Sequence, residues 1–286
     1  METTCMFCGE KKESSIEHII PKAIGNETLT TNNVCKDCNS ALGATIDDRF
    51  VNSWAMQVER NRLSLKGYKG TVPNPMKNGT DEDGNQVILD KDQNPQYIPT
   101  IDDTGHSLAI RTSSTKKVYQ IALKKLKRKN IPKEQAKEIL KNSKVLCSDK
   151  IRPNISFEGQ IDTEALKLEF LKIAFEYMNK EYGDMYRKDP IGNDLKNILN
   201  QFKSGNKVDY SKYLSDIPKG KITPLKNAIQ RKGKNIHYIQ FVLTDDKRLF
   251  MTILLFNGNY SQNVLVSNCG KEYPKISDKK IAVVIK

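Results

Sequence analysis

Two Cys-x-x-Cys pairs near the start of the chain constrain its fold more than any other feature. Cys5 and Cys8 form the first pair, Cys35 and Cys38 form the second, and 26 residues lie between them. A two-residue spacing lets both thiolates of a pair reach one ion, and four thiolates form a common structural zinc site. The alternatives are redox pairs, disulfides or buried free thiols, but disulfides are typical of secreted chains and no secretory pattern is visible here. We therefore expect one structural zinc ion on these four cysteines.

A short acid–histidine motif lies inside the loop that this zinc ion would close. Glu17 is followed directly by His18, one of three histidines in the chain, and then by Ile-Ile-Pro. Histidine abstracts protons near neutral pH, and carboxylate and amide oxygens are hard donors that suit a magnesium-like ion. Asparagines precede and follow the second cysteine pair, at Asn32, Asn33 and Asn39. A lone Glu-His pair is a weak signal, and its place between the cysteine pairs strengthens it.

The order Cys-x-x-Cys, Glu-His-Ile-Ile-Pro, Gly-Asn, Asn, Cys-x-x-Cys-Asn resembles the HNH endonucleases, in the branch whose ββα-metal core is pinned by a zinc knuckle. The resemblance covers roughly the first fifty residues, from Cys5 to about Asp48. It implies that His18 is the general base that activates water. It also implies that Glu17 binds a catalytic divalent metal, Mg²⁺ or Mn²⁺.

The resemblance assigns further roles to the asparagines. Asn32 is expected to orient His18 because of its distance from the second cysteine pair, with Asn33 as the other candidate. Asn39 stands at the last motif position, which is often a histidine and binds the same metal. Asp47 is a further candidate ligand because Asn39, Gly43 and Asp47 share one helical face at four-residue spacing; the other interpretation of Asp47 is a solvated helix acid.

These assignments predict a metal-dependent endonuclease that hydrolyses DNA phosphodiester bonds. One catalytic metal is expected because clustered carboxylates are few, and four thiolates leave the zinc ion no open position for chemistry. The alternative is a zinc-knuckle nucleic-acid-binding protein that does not cut. A third interpretation is a redox-regulated protein whose thiols titrate.

The charge distribution favours a polyanionic partner. The chain has 47 Lys and Arg against 34 Asp and Glu, whereas residues 1–64 carry 7 basic and 9 acidic side chains, so the positive excess lies after residue 64. Such charge suits contact with a phosphate backbone. Lysine outnumbers arginine, which favours duplex DNA binding with little sequence specificity, or ordinary solubility charge, over base reading.

The sequence predicts an α+β fold with two domains: a zinc-pinned ββα-metal HNH module at 1–64, then a basic domain of mixed helices and antiparallel sheet at 65–286. Apolar periodicity and turn residues predict the elements of this fold. Helices are expected at about 37–62, 114–129, 133–142, 163–182 and 193–202, and strands at 85–89, 107–111, 236–242, 249–256, 260–266 and 281–285. The pair of helices around residue 131 is either a helix-turn-helix or a solvated basic face.

The role of residues 65–286 stays open at this level, since no motif identifies it. DNA binding, homodimerisation and recognition of a regulatory partner or ligand are the three options, and a restriction or phage-defence effector is one setting for them. His106 is expected in a turn, His237 in a sheet, and Cys147 and Cys269 as free thiols. The longest apolar run, 249–256, is too short to span a bilayer, and reduced thiols favour the cytoplasm.

Overall fold

The structure is a computed structural model that describes residues 2–90, 92–112, 114–144, 154–230, 233–274, 276 and 279–286. Helices and sheets occur side by side in it, and every strand pairing among these residues is antiparallel. The predicted α+β class is therefore confirmed. Cys147 lies outside the described residues.

The chain forms two compact units whose limits differ from the division expected at residue 64. One unit comprises Met1–Pro73 together with Gln160–Lys286, and the other comprises Asn74–Gly159. The segment with the cysteine pairs thus shares a unit with the last part of the chain. A domain boundary after residue 64 stays a prediction.

The first unit begins with a small sheet followed by a helix. Its elements are β1 (Glu2–Thr4), β2 (Lys11–His18), β3 (Thr30–Cys35) and α1 (Lys36–Leu42). The strands lie in the order β1-β2-β3, and the β2–β3 hairpin ends where His18 pairs with Thr30. Hairpin and helix together form the expected ββα arrangement.

The helical region that follows is not the single helix predicted from Asp37 to Arg62. After α1 the chain forms a π-helical segment, Gly43–Asp47, then α2 (Asp48–Asn52) and α3 (Trp54–Arg62). Ser53 has an extended ψ of 146°, which breaks the helix. Ile46, Phe50, Trp54 and Val58 recur every four residues in the sequence, which predicts one buried stripe. Ile46 and Phe50 are buried, whereas Trp54 and Val58, after the break at Ser53, are only half-buried.

The second unit combines short strands with a helical hairpin. Its elements are β4 (Gly79–Asp81), β5 (Gln86–Leu89), β6 (Pro95–Tyr97), β7 (Thr100–Asp103), β8 (Leu108–Arg111), α4 (Thr115–Arg128), α5 (Lys133–Lys141) and β9 (Ile155–Phe157). A four-stranded sheet has the order β6-β5-β4-β9, and β7 pairs with β8. His106 lies in the bend between β7 and β8 and is exposed, as predicted.

The remainder of the first unit contains helices packed on a five-stranded sheet. Its elements are α6 (Thr163–Tyr182), α7 (Asp184–Lys188), α8 (Pro190–Lys203), β10 (Leu214–Ser215), α9 (Lys219–Gln230), β11 (Ile236–Leu243), β12 (Leu249–Leu255), β13 (Tyr260–Ser267) and β14 (Lys280–Val284). The strand order is β10-β13-β12-β11-β14. The predicted meander is present, and His237 lies in it.

Helix α6 is the centre of the first unit. Asp162 caps its start by accepting a hydrogen bond from the backbone N–H of Ala165, and its bounds are those predicted. The apolar periodicity of Leu166, Phe170, Ile173, Ala174 and Tyr177 predicts a buried stripe on one side, but every residue from Leu168 to Asn179 is buried. The helix therefore carries charged side chains into the core, where they need partners.

None of the helices in the described part of the chain is long and apolar enough to cross a membrane.

Candidate metal centre and active site

The four predicted zinc ligands lie together. The Sγ atoms of Cys5, Cys8, Cys35 and Cys38 are all within 4.8 Å of one another. Those of Cys8 and Cys35 are 3.9 Å apart, close to the spacing of about 3.8 Å that a tetrahedral site with bonds of about 2.3 Å requires. Four soft donors in this arrangement fit a structural zinc ion.

Local backbone geometry holds these thiols in place. The first pair lies in the turn between β1 and β2, where Gly9 adopts a φ of 75° that favours glycine. The second pair lies at the start of α1, with Cys35 as its N-cap residue. Burial acts to raise the pKa of Cys5, but hydrogen bonds from the backbone of Cys35, Cys8 and Phe7 outweigh it and lower the pKa to about 7. The environment of Cys5 therefore favours the thiolate, which is the form that binds metal.

One cation beside this centre was not foreseen from the sequence. Lys203, at the end of α8, places its Nζ atom 3.4 Å from Cys38 Sγ. The same ammonium donates to the side-chain oxygen of Asn200, whose own Nδ2 donates to the carbonyl of Phe7. These contacts join α8 to both cysteine pairs.

Glu17 and His18 are the last two residues of β2. Successive side chains of a strand point to opposite faces, and here Glu17 is buried while His18 is half-buried. Burial lowers the pKa of His18, the charges of Lys22 and Lys172 lower it further, and Glu27 acts in the opposite direction. These effects favour the neutral imidazole, which is the state that a general base needs.

The predicted asparagines lie around this strand end. A β-bulge places Asn32 and Asn33 opposite Ile16. No hydrogen bond joins either amide side chain to His18 among the described residues. Asn39 donates through Nδ2 to Ser15 Oγ at 2.9 Å and to the Ile16 carbonyl at 3.1 Å. Asn39 thus holds the strand that carries Glu17, and its amide oxygen is the atom left for a metal.

A fully buried lysine is the main feature that the sequence did not reveal. The Nζ atom of Lys172, in α6, lies 2.6 Å from Glu17 Oε1, 3.0 Å from Asp47 Oδ1 and 3.7 Å from Glu176 Oε1. Asp47 ends the π-helical segment, so the four-residue spacing assumed for it does not hold. The interpretation of Asp47 as a solvated acid is wrong, because it forms an ion pair with a buried ammonium.

Burial of this cluster shifts the pKa values of its charged groups. Burial acts to lower the pKa of Lys172, but the charges of Asp47 and Glu17 raise it well above its ordinary value. Burial raises the pKa of Glu17 and raises that of Glu169 and Glu176 well above the usual range for a carboxyl group. The cluster therefore keeps its ammonium charged and favours the protonated form of the two buried α6 carboxyl groups.

A sequence signal for these α6 residues existed but was masked by the apolar pattern. Glu169, Lys172 and Glu176 recur at spacings of three and four, so they lie on one face of the helix. Such a spacing ordinarily marks an exposed face with side-chain ion pairs. Only the packing of α6 against the first hairpin shows that this face is inside.

The oxygen donors around Glu17 fit a hard divalent cation. Glu17 and Asp47 each place one carboxylate oxygen at Lys172, Asp47 also lies within hydrogen-bonding reach of Glu169, and Asn39 keeps its amide oxygen. These ligand atoms are not gathered as the thiols are. Among the described residues, three or more Cys, His, Asp or Glu ligand atoms lie close enough to hold a metal in the cysteine tetrad, and no such group includes Glu17 or Asp47.

Residues 5–55 match the family model of the HNH endonucleases. No curated protein and no solved structure matches the chain. The family match begins at the first zinc-site cysteine and includes Glu17, His18, the three asparagines and Asp47, while Lys172 lies far outside it. This match, confined to residues 5–55, indicates a nuclease-type function with nucleic acid as the substrate class.

Proposed function

We propose that this protein is a divalent-metal-dependent endonuclease that hydrolyses DNA phosphodiester bonds, with His18 as the general base. The observation that carries the proposal is the place of Glu17 and His18 at the end of β2, in a hairpin that the cysteine tetrad ties to α1. The imidazole is half-buried and its surroundings favour the neutral form, which supports the role of base. Zinc has a structural part only, because four thiolates fill its coordination.

Under this proposal, each polar residue of the site has a role. His18 accepts a proton from the attacking water, and Asn32, with Asn33 as the other candidate, limits the orientation of the imidazole. Glu17 and Asn39 hold Mg²⁺ or Mn²⁺ through their remaining oxygens. A divalent ion bound there would neutralise negative charge on the scissile phosphate.

The helical hairpin of α4 and α5 supports DNA as the partner. Residues 115–144 contain 11 Lys and Arg but only two acidic residues. Lys124, Lys127 and Arg128 are exposed on α4, and Lys129, which is also exposed, follows its last residue. Exposed lysines bind phosphates without reading bases, so duplex DNA with little sequence preference is the expected substrate.

A plasmid-cleavage assay tests the proposal. Supercoiled DNA is incubated with the zinc-loaded chain in Mg²⁺, in Mn²⁺ and in chelator, beside His18→Ala. The matched control is His106→Ala, which changes an exposed turn histidine. Loss of a general base should lower cleavage by about 10²–10⁴-fold, while zinc content and DNA affinity stay at the parental values. Equal cleavage by the parent and His18→Ala would refute the assignment of His18.

The second candidate is a zinc-knuckle protein that binds nucleic acid and does not cut. The ion pair between Glu17 and Lys172 favours it, because one oxygen of the expected metal ligand is already engaged. DNA binding by the parent without cleavage in either metal would support this candidate. A restriction or phage-defence setting, a homodimer and a regulatory partner or ligand stay predictions.

A further inference from the structure

Lys172 brings a charge from outside the HNH segment to the carboxylate expected to bind the catalytic metal. It is separated from Glu17 by 155 positions, its side chain is 0% exposed, and its Nζ atom bridges Glu17 Oε1 and Asp47 Oδ1. The two carboxylates come from different elements, the end of β2 and the end of the π-helical segment. The ammonium is therefore the group that holds them together.

Stability alone does not account well for this arrangement. Moving an ammonium and carboxylates out of water costs several kcal/mol per ion, and buried ion pairs are often no better than apolar residues of similar volume. Glu169 and Glu176 add two fully buried carboxyl groups: Glu169 lies within hydrogen-bonding reach of Asp47, and neither group accepts from an N–H donor among the described residues. Apolar side chains would fill this space at lower cost, so the charges need another reason.

We propose that Lys172 is a positioning residue of the nuclease site, which binds the inner oxygens of Glu17 and Asp47 so that both carboxylates present their second oxygens to one divalent cation. The inference rests on the proposed function and adds Asp47 to the ligands of that cation. Asp47 is the more accessible of the two carboxylates: 21% of its side chain is exposed against 7% for Glu17, and its Oδ1 atom is shielded from water.

The physical advantage of such a device is preorganisation. Two neighbouring carboxylates repel each other, and a cation site made of them must hold them in place before the metal arrives. A flexible side chain in solvent would lose that geometry. The buried ammonium on α6, a helix packed on every side from Leu168 to Asn179, supplies a fixed point for both.

Metal binding to the full, zinc-loaded chain tests the inference without relying on cleavage. Mn²⁺ binding is measured by electron paramagnetic resonance for the parent, Lys172→Met and Asp47→Asn, with Glu17→Gln to define the site. The matched control is Lys167→Met, which removes an exposed lysine from the same helix. We expect Lys172→Met and Asp47→Asn each to weaken Mn²⁺ binding by at least about tenfold. The double variant should lose little more, because both changes disrupt one arrangement.

The outcomes separate this inference from the proposed function. If the parent binds Mn²⁺ and the two variants weaken it, the inference stands even if no DNA is cut. If the variants bind Mn²⁺ with parental affinity, the ammonium does not position the ligands and the inference is wrong. If Lys172→Met binds Mn²⁺ more tightly than the parent, the ammonium competes with the cation, and the inference is again wrong. If Lys172→Met does not fold, Asp47→Asn decides, since its amide oxygen can still accept from Lys172. A parent without a saturable Mn²⁺ site overturns the inference outright.

Discussion

The rings of Phe7 and Phe175 meet with their centroids 5.1 Å apart. Phe7 lies between the first two cysteines, and Phe175 lies one turn after Lys172 on α6. The turn that carries the first cysteine pair is thus part of the same core as the long central helix. Zinc, the hairpin and α6 should consequently stabilise one another.

Removal of zinc should destabilise the whole first unit and not only the first hairpin. Chelation or Cys35→Ser should cost at least about 4 kcal/mol and lower the melting temperature by roughly 10 °C. Calorimetry together with elemental analysis for zinc provides the measurement. Cys269→Ser is the control because Cys269 is an exposed free thiol. Unchanged melting of a zinc-free chain would contradict the structural role.

The fragment 1–64 should not fold alone, even with zinc bound. Without α6 it loses the ring that packs on Phe7 and the ammonium that neutralises Glu17 and Asp47. An exposed apolar face and unpaired acids disfavour the compact state. Amide spectra of the zinc-loaded fragment should be poorly dispersed. A well-dispersed, monomeric spectrum would instead support the domain boundary after residue 64.

His237 should make stability depend on pH. Its ring Nε2 lies 3.0 Å from the Ile24 carbonyl and its Nδ1 accepts from the backbone N–H of Phe256. Burial lowers the pKa of His237 to about 4. The unfolded state, with an ordinary histidine pKa of about 6.5, binds the proton first, so stability falls as the pH drops from about 6.5 towards 4.

This histidine should account for a loss on the order of 2 kcal/mol between pH 7 and pH 5. Urea unfolding at both pH values measures it. His237→Gln should remove that part of the slope, whereas His106→Gln, an exposed control, should leave it. An identical slope in the parent and His237→Gln would show that other groups carry the pH dependence.

Lys22 should shift the acid limb of cleavage. The depressed pKa of His18 keeps the base neutral below its ordinary range, so activity should persist to a pH lower than an unperturbed histidine allows. Lys22→Gln removes a nearby cation and should raise that pKa, moving the acid limb to higher pH. Glu27→Gln removes an anion and should move it the other way. Rate–pH profiles at saturating metal measure both shifts, and two unmoved profiles would exclude His18 as the titrating base.

The basic face of α4 should govern the salt dependence of DNA binding. Neutralising four of its residues together should reduce the slope of log affinity against log salt by up to about 3–4, because each lost phosphate contact removes about 0.9. Affinity is measured by fluorescence anisotropy on two unrelated duplexes. The four residues are Lys124, Lys125, Lys127 and Arg128.

A control variant with the same loss of charge elsewhere should keep the parental slope. Suitable exposed lysines lie in the first unit. An equal change in both variants would mean that net charge, and not this helix, determines binding. The control residues are Lys180, Lys188, Lys207 and Lys271.

The sequence by itself determined the features that depend on short spacings. The two-residue gap within each cysteine pair, the Glu17–His18 dipeptide and the periodicity of residues 163–182 all act within a turn or a strand. Local backbone geometry converts such spacings directly into structure, so the match of the first segment to the HNH endonuclease model, the α+β class and the bounds of α6 could all be predicted.

Only the tertiary structure decided which charges meet. The apolar pattern favoured one continuous helix. Instead, the π-helical segment changes the direction of the Asp47 side chain, and the break at Ser53 changes the directions of the residues after it. Lys172 has the sequence environment of an exposed ion-paired face, yet the packing of α6 against the hairpin makes it the partner of Glu17. Contact between residues 155 positions apart depends on the burial of whole elements, and no local propensity encodes it.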